Sequence, residues 1–127
     1  SGRWQVAARA SGLDIGFLVA TSTPRDRMAG VAEATTGFVY AVAGAGTTGA
    51  RADLPEDLPE MLRHLREATE KPIAVGFGIS TPEQVRTVCS LADGAIVGSA
   101  VVRVIAKAKD PAAEAGAFVA ELAKGRR

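Results

Sequence analysis

The chain has 127 residues, with 15 Lys and Arg against 14 Asp and Glu and a formal net charge of +1. That length is one domain's worth, and its basic residues are scattered apart from Lys124, Arg126 and Arg127, so no face of the kind nucleic acid requires is in view. No apolar run is long enough to span a bilayer and no signal-peptide pattern is present, while the lone Cys89 excludes an internal disulfide and fits a reducing, cytoplasmic setting.

Residues 2–11 are Ala-rich and stop at Gly12, which reads as a helix with a glycine C-cap. Residues 15–20 (IGFLVA) form a near-continuous apolar run, as expected of a strand covered on both faces. Thr23-Pro24-Arg25-Asp26 then supplies an N-cap, a proline at the first helical position and a capping-box acid, and the helix runs to about Thr35. Residues 38–43 (FVYAVA) are the next strand, followed by a long Gly/Thr/Asp/Pro loop over 44–56. Asp57 with Glu60 is expected to cap a helix through Leu62 and Leu65 that ends before Lys71-Pro72. Residues 73–78 read as a strand, 82–91 as a helix, 94–97 as a strand, 99–105 as a short helix and 111–124 as the last helix.

One leading helix followed by four βα units implies a parallel sheet. Four such strands fit an open doubly wound sheet or half of a (β/α)8 barrel. The added helix that opens at Gly98-Ser99 favours the barrel, because phosphate-binding barrels carry such a helix after their last strands. Ser22-Thr23-Pro24 also recurs as Ser80-Thr81-Pro82, two units apart. A whole barrel takes about 250 residues, so the chain reads as a single-domain parallel (β/α) half-barrel, the carboxyl part of a (β/α)8 barrel.

Three glycine-centred turns sit at the ends of apolar runs: Gly46-Thr47-Thr48-Gly49, Gly76-Phe77-Gly78 and Gly98-Ser99. A strand that ends in glycine and opens a helix leaves backbone N–H groups pointing outward with the helix dipole behind them, which attracts an anion. In a parallel α/β protein these turns share one face, so they converge on one ligand, and a phosphate suits them best. The same strand ends (Ala20-Thr21, Ala43-Gly44, 76–78 and 98–99) carry no carboxylate, histidine or lysine for acid–base work. No Ser-His-Asp set, metal-ligand spacing or redox motif appears. His64, among Glu60, Arg63 and Glu67, reads as a solvated surface residue, Trp4 as a packing residue, Cys89 as a core residue, and Asp14 and Asp93 as turn residues at the stability face.

The segments Gly37-Phe38-Val39-Tyr40, Gly46-Thr47-Thr48-Gly49-Ala50, residues 72–85 (PIAVGFGISTPEQV) and residues 93–102 (DGAIVGSAVV) resemble the tryptophan synthase α subunit in order and spacing across essentially the whole chain. That resemblance implies a (β/α)8 barrel that cleaves indole-3-glycerol phosphate to indole and glyceraldehyde 3-phosphate. The indole passes to a β subunit that carries pyridoxal phosphate, so the α-type chain itself takes no cofactor. By position, Gly49, Gly78, Gly98 and Ser99 are implied to bind the substrate phosphate, Tyr40 and Phe77 to line the indole pocket, and Thr48 to lie in a closing loop after the sixth strand. The two family carboxylates belong to earlier strands and have no counterpart here, and Gly44 stands where the family often has arginine. The expectation is lyase activity in the full-length protein, with this half holding substrate but inactive alone and self-associating through its open edges. The other readings are a different phosphate-binding barrel (an isomerase or a flavin-dependent oxidoreductase) and a non-enzymatic excised or designed half-barrel.

Overall fold

The computed structural model describes residues 2–44 and 54–126. In chain order these form α1 (Gly2–Ala10), β1 (Leu18–Ala20), α2 (Arg25–Ala34), β2 (Val39–Val42), α3 (Leu58–Ala68), β3 (Ile73–Gly76), α4 (Pro82–Leu91), β4 (Gly94–Ala95), α5 (Ser99–Lys107), α6 (Pro111–Ala123) and a closing 3-10 turn, Lys124–Arg126. The four strands are all parallel and lie side by side in sequence order, β1-β2-β3-β4. A doubly wound sheet reverses its order at a switch point. Here the order never reverses, and right-handed crossovers that always step the same way put every crossover helix on one face. The sheet is therefore wound as a barrel wall.

Side-chain alternation confirms which face is covered. Val19, Val39, Ala41, Ile73 and Val75 are buried against Met28 and Ala32 of α2, Leu58, Met61, Leu62 and Leu65 of α3, Val85 and Val88 of α4 and Leu122 of α6. Their in-between neighbours form the opposite face in two registered rows: Leu18, Tyr40, Ala74 and Gly94, then Ala20, Val42 and Gly76. Leu18 in the first row is 59% exposed. Those rows correspond to the inward-pointing layers of a barrel, open here on one side.

The strands are shorter than the apolar runs suggest, and β1 shows why. The Ile15 N–H donates to Thr36 Oγ1 (2.8 Å) and the Phe17 N–H to Thr35 Oγ1 (3.1 Å), so these amides bond threonine hydroxyls in place of a ladder partner. The ladder begins only where the Tyr40 N–H reaches the Phe17 carbonyl. Two expected helix caps are also replaced. In α2 the capping residue is Pro24, without a side-chain bond, because Thr23 Oγ1 accepts from the Ala20 N–H (3.0 Å) and closes the strand-end turn. In α3 Asp57 is the N-cap but is itself in an α-type conformation and makes no capping bond. By contrast α4 carries a complete capping box, Thr81 with Gln84. Gly12, at φ +67°, ends α1 as expected. Trp4 does not pack: α1 contributes no buried residue and the indole is 80% exposed. Cys89 is half-buried against the core rather than inside it.

At the opposite end of the sheet from the strand-end turns, Asp93 fastens β3 to β4. Its Oδ2 accepts from Arg66 Nη2 (2.6 Å) and from the Ile73 N–H (2.8 Å), and the Asp93 N–H donates back to the Ile73 carbonyl. The Arg66 hydrogen bond, and after it the Ile73 amide, hold the Asp93 carboxyl below the usual carboxylate range. A depressed folded-state pKa contributes stability that is present above the unfolded pKa and is lost as pH falls through the folded one. Asp93→Asn is therefore expected to lower the urea midpoint at neutral pH and to flatten the acid limb below about pH 4, where the unfolded carboxyl takes up its proton. A variant whose midpoint parallels the parent through that window would contradict this role.

Candidate functional site

The carboxyl ends of β1 to β4 lead into the turns at 21–24, 43–44, 77–81 and 96–98. Parallel register between β3 and β4 (Ala74 with Gly94, Val75 with Ala95) puts the Gly78 and Gly98 turns on neighbouring strand ends, about 4.8 Å from strand to strand. Gly78 has φ +81° and is exposed; that left-handed conformation turns the chain from β3 toward α4. Gly98 is the N-cap of α5, and Ser99 is its first residue, both exposed.

The first N–H groups of a helix have no partner within it, and the helix dipole adds positive potential at that end. In α5 the first turn carries no acidic residue of its own to offset this potential. In α4 the turn is more fully bonded: Gln84 Oε1 accepts from the Ser80 N–H (2.8 Å) and the Thr81 N–H (3.2 Å), while the Gln84 N–H donates to Thr81 Oγ1 (3.2 Å). Ser80 and Thr81 are thereby committed to the cap, which leaves the residues before them, Gly78 foremost, to face a ligand.

Tyr40 stands in the first row of the open face and leans along the strand toward this end. A Cβ built on Gly76 would lie 2.8 Å from Tyr40 Oη and 3.0 Å from Cε2, so the ring rests on the bare backbone of Gly76. Gly76 is thus a seat for the one tyrosine, a role the sequence analysis did not assign, since a glycine in a strand marks a bulge, a bend or a close approach alike. Phe77 is half-buried and packs against the apolar core. Thr48 and Gly49 lie outside the described residues. Gly44 adopts φ +70°, a conformation that favours glycine at that position.

Among the described residues, the strand ends and the turns at 21–24, 43–44, 77–81 and 96–98 bear no carboxylate, histidine or lysine, the acids of the connection after β2 being Glu56 and Asp57 just ahead of α3, and no group of three or more His, Cys, Asp or Glu could hold a metal ion. His64 is not solvated as expected: its side chain is 16% exposed, and it lines a hollow between α2 and α3 with Arg25, Asp26 and Glu67, on the outer surface. Among the described residues the arrangement offers turn amides suited to an anion and the Tyr40 ring on the open face, and its strand ends hold no carboxylate, histidine or lysine to move a proton.

Comparison with known proteins agrees with this geometry. The family model for the tryptophan synthase alpha chain matches residues 1–125. The tryptophan synthase alpha chain of Gloeobacter violaceus is 52% identical over 105 residues, 82% of this chain and 38% of that protein. That of Thermococcus kodakarensis is 42% identical over 123 residues, 96% of this chain and 49% of that protein. Among solved structures, tryptophan synthase from Mycobacterium tuberculosis superposes with TM-score 0.86 at 36% identity, covering 98% of this chain and 46% of that one. A mutant tryptophan synthase α-subunit from Pyrococcus furiosus gives TM-score 0.83 at 33% identity, covering 96% and 49%. The chain spans less than half the length of the relatives it matches, and its four-stranded wall corresponds to about half of their (β/α)8 barrel. With a family model matched over nearly its whole length, the chain belongs to the tryptophan synthase alpha chain family.

Proposed function

We propose that this chain is the substrate-holding carboxyl half of a cytoplasmic lyase that cleaves indole-3-glycerol phosphate to indole and glyceraldehyde 3-phosphate. The observation that carries the reading is the pair of glycine turns on adjacent parallel strand ends, each opening a helix, with no carboxylate, histidine or lysine at the described strand ends. In this reading the amides of Gly49, Gly78, Gly98 and Ser99, with the Ser99 hydroxyl, take the phosphate. Tyr40 and Phe77 border the indole, and Thr48 belongs to a loop that closes over it. Binding at one end fixes the glycerol chain; proton transfer to the indole ring and from the glycerol hydroxyl falls to carboxylates on the preceding half of the barrel. No cofactor is needed for that cleavage. The partner is a β subunit carrying pyridoxal phosphate, which takes up the indole released.

The experiment is an indole-release assay on the chain alone and on the chain joined to the preceding half of the Gloeobacter violaceus relative. Indole from the joined protein and none from the chain alone is the expected result. Each positioned acid or base contributes on the order of a hundred- to ten-thousand-fold, so the difference is large. Release by the isolated chain would overturn the division of labour. The open sheet face and the unpaired edges of β1 and β4 also favour self-association of the isolated chain, which light scattering checks; a monomer mass would contradict it.

A further inference from the structure

The closing 3-10 turn returns the chain to the start of α4, beside the Gly78 turn. Gly125 is buried there, and a Cβ built on it would run into the Pro82 carbonyl oxygen, with the Pro82 carbonyl carbon and Val85 Cβ each at 2.9 Å. These are backbone and β-branched atoms, with no flexible side-chain end to swing away. Any side chain at position 125 must therefore separate the closing turn from the first turn of α4. Leu122, buried with Val85 and Val88, anchors the approach from α6.

From Pro82 the linkage continues without slack. The Val85 N–H donates to the Thr81 carbonyl (3.2 Å), Gln84 Oε1 receives the Ser80 and Thr81 N–H groups, and Ile79 beside them is buried. Next in line is Gly78. We infer that Gly125 is a positioning residue: the carboxyl-terminal turn seats α4 so that the Gly78 amide is aimed at the substrate phosphate. This rests on the phosphate site proposed above and adds to it a residue that touches no ligand. A displacement of about an ångström in a binding group costs on the order of tenfold or more, so an alanine at this place is expected to weaken phosphate binding about tenfold.

The test is a titration of the full chain with inorganic phosphate, followed by amide NMR, for the parent, Gly125→Ala and Gly116→Ala. Gly116 lies on exposed α6 with nothing within 4 Å of a built Cβ, so its alanine variant controls for the loss of a glycine alone. The expected outcome is displaced Gly78, Ser80 and Thr81 resonances in free Gly125→Ala and a dissociation constant about tenfold higher, with Gly116→Ala matching the parent. If Gly125→Ala does not fold, truncation after Lys124 removes the contact without inserting a methyl group, and the same weakening is expected. A folded variant that melts lower yet binds phosphate as the parent does would reduce Gly125 to a packing residue and overturn the inference. A parent whose Gly78, Gly98 and Ser99 amides ignore phosphate would instead sink the site reading itself.

Discussion

Lys71→Met is expected to lower the stability of the fold by about 2 kcal/mol, near the upper end for a charge at a helix terminus. Lys71 Nζ donates to the carbonyls of Ala32 (2.8 Å), Glu33 (3.2 Å) and Thr35, which close α2. The last carbonyls of a helix have no partner within it, and hydrogen bonds to a charged group contribute about 1.5–3 kcal/mol. The ammonium thus caps α2 from the strand-side turn before β3, tying together two units of the sheet that are far apart in sequence. Methionine keeps the length and apolar stem while removing every donor. Arginine keeps the charge, but its planar fork does not match three converging carbonyls, so Lys71→Arg is expected to recover only part of the loss. Urea denaturation measures both; a Lys71→Met midpoint equal to the parent's would contradict the capping role.

The second large effect is expected at Gly78→Val. With φ +81°, position 78 lies where a β-branched residue is a genuine outlier. A left-handed conformation costs an ordinary residue about 1–2 kcal/mol, so valine escapes by rotating the turn. That rotation re-aims the amide, and phosphate affinity is expected to fall by at least an order of magnitude while the melting temperature drops only modestly. The space beside Gly78 is open, with nothing within 4 Å of a built Cβ, so the effect is conformational and not a collision. Gly98→Ala serves as a contrast: its φ of −115° tolerates a side chain, and its binding should suffer less. Equal phosphate affinity in Gly78→Val and the parent would remove Gly78 from the site.

Much of this architecture was legible in the sequence because its signals are local. The Thr81-Pro82 start of α4, the glycine stop at Gly12 and the alternation of apolar runs with helical ones each encode one element, and all appear. What escaped depends on partners distant in the chain. The start of β1 could not be read because Thr35 and Thr36, about twenty residues on, take the amides that would extend the ladder. Thr23 looked like a cap by the same logic as Thr81, yet its hydroxyl turns back to Ala20 while that of Thr81 turns forward to Gln84. The two Ser-Thr-Pro copies differ at the third residue after the threonine: Gln84 completes a capping box there, and Asp26 does not. Trp4 misled for another reason, since an apolar residue on a helix reads as buried even where no described element covers it.

For the site, the glycine turns were visible at once, because they are a matter of residue type at strand ends. The seating of Tyr40 on Gly76 and the contact of Gly125 with Pro82 were not, since each is a close approach between residues more than thirty positions apart. Glycine records such an approach only as a missing side chain, and sequence cannot distinguish that from a turn.

The central claim, that this half of the barrel grips the substrate's phosphate at its glycine turns, is tested most directly by titrating the chain with inorganic phosphate and following the backbone amides by NMR. The expected result is that Gly78, Gly98 and Ser99 shift first and saturate together with one dissociation constant. If those three stay still while amides elsewhere move, the phosphate lies at another place and the account is wrong.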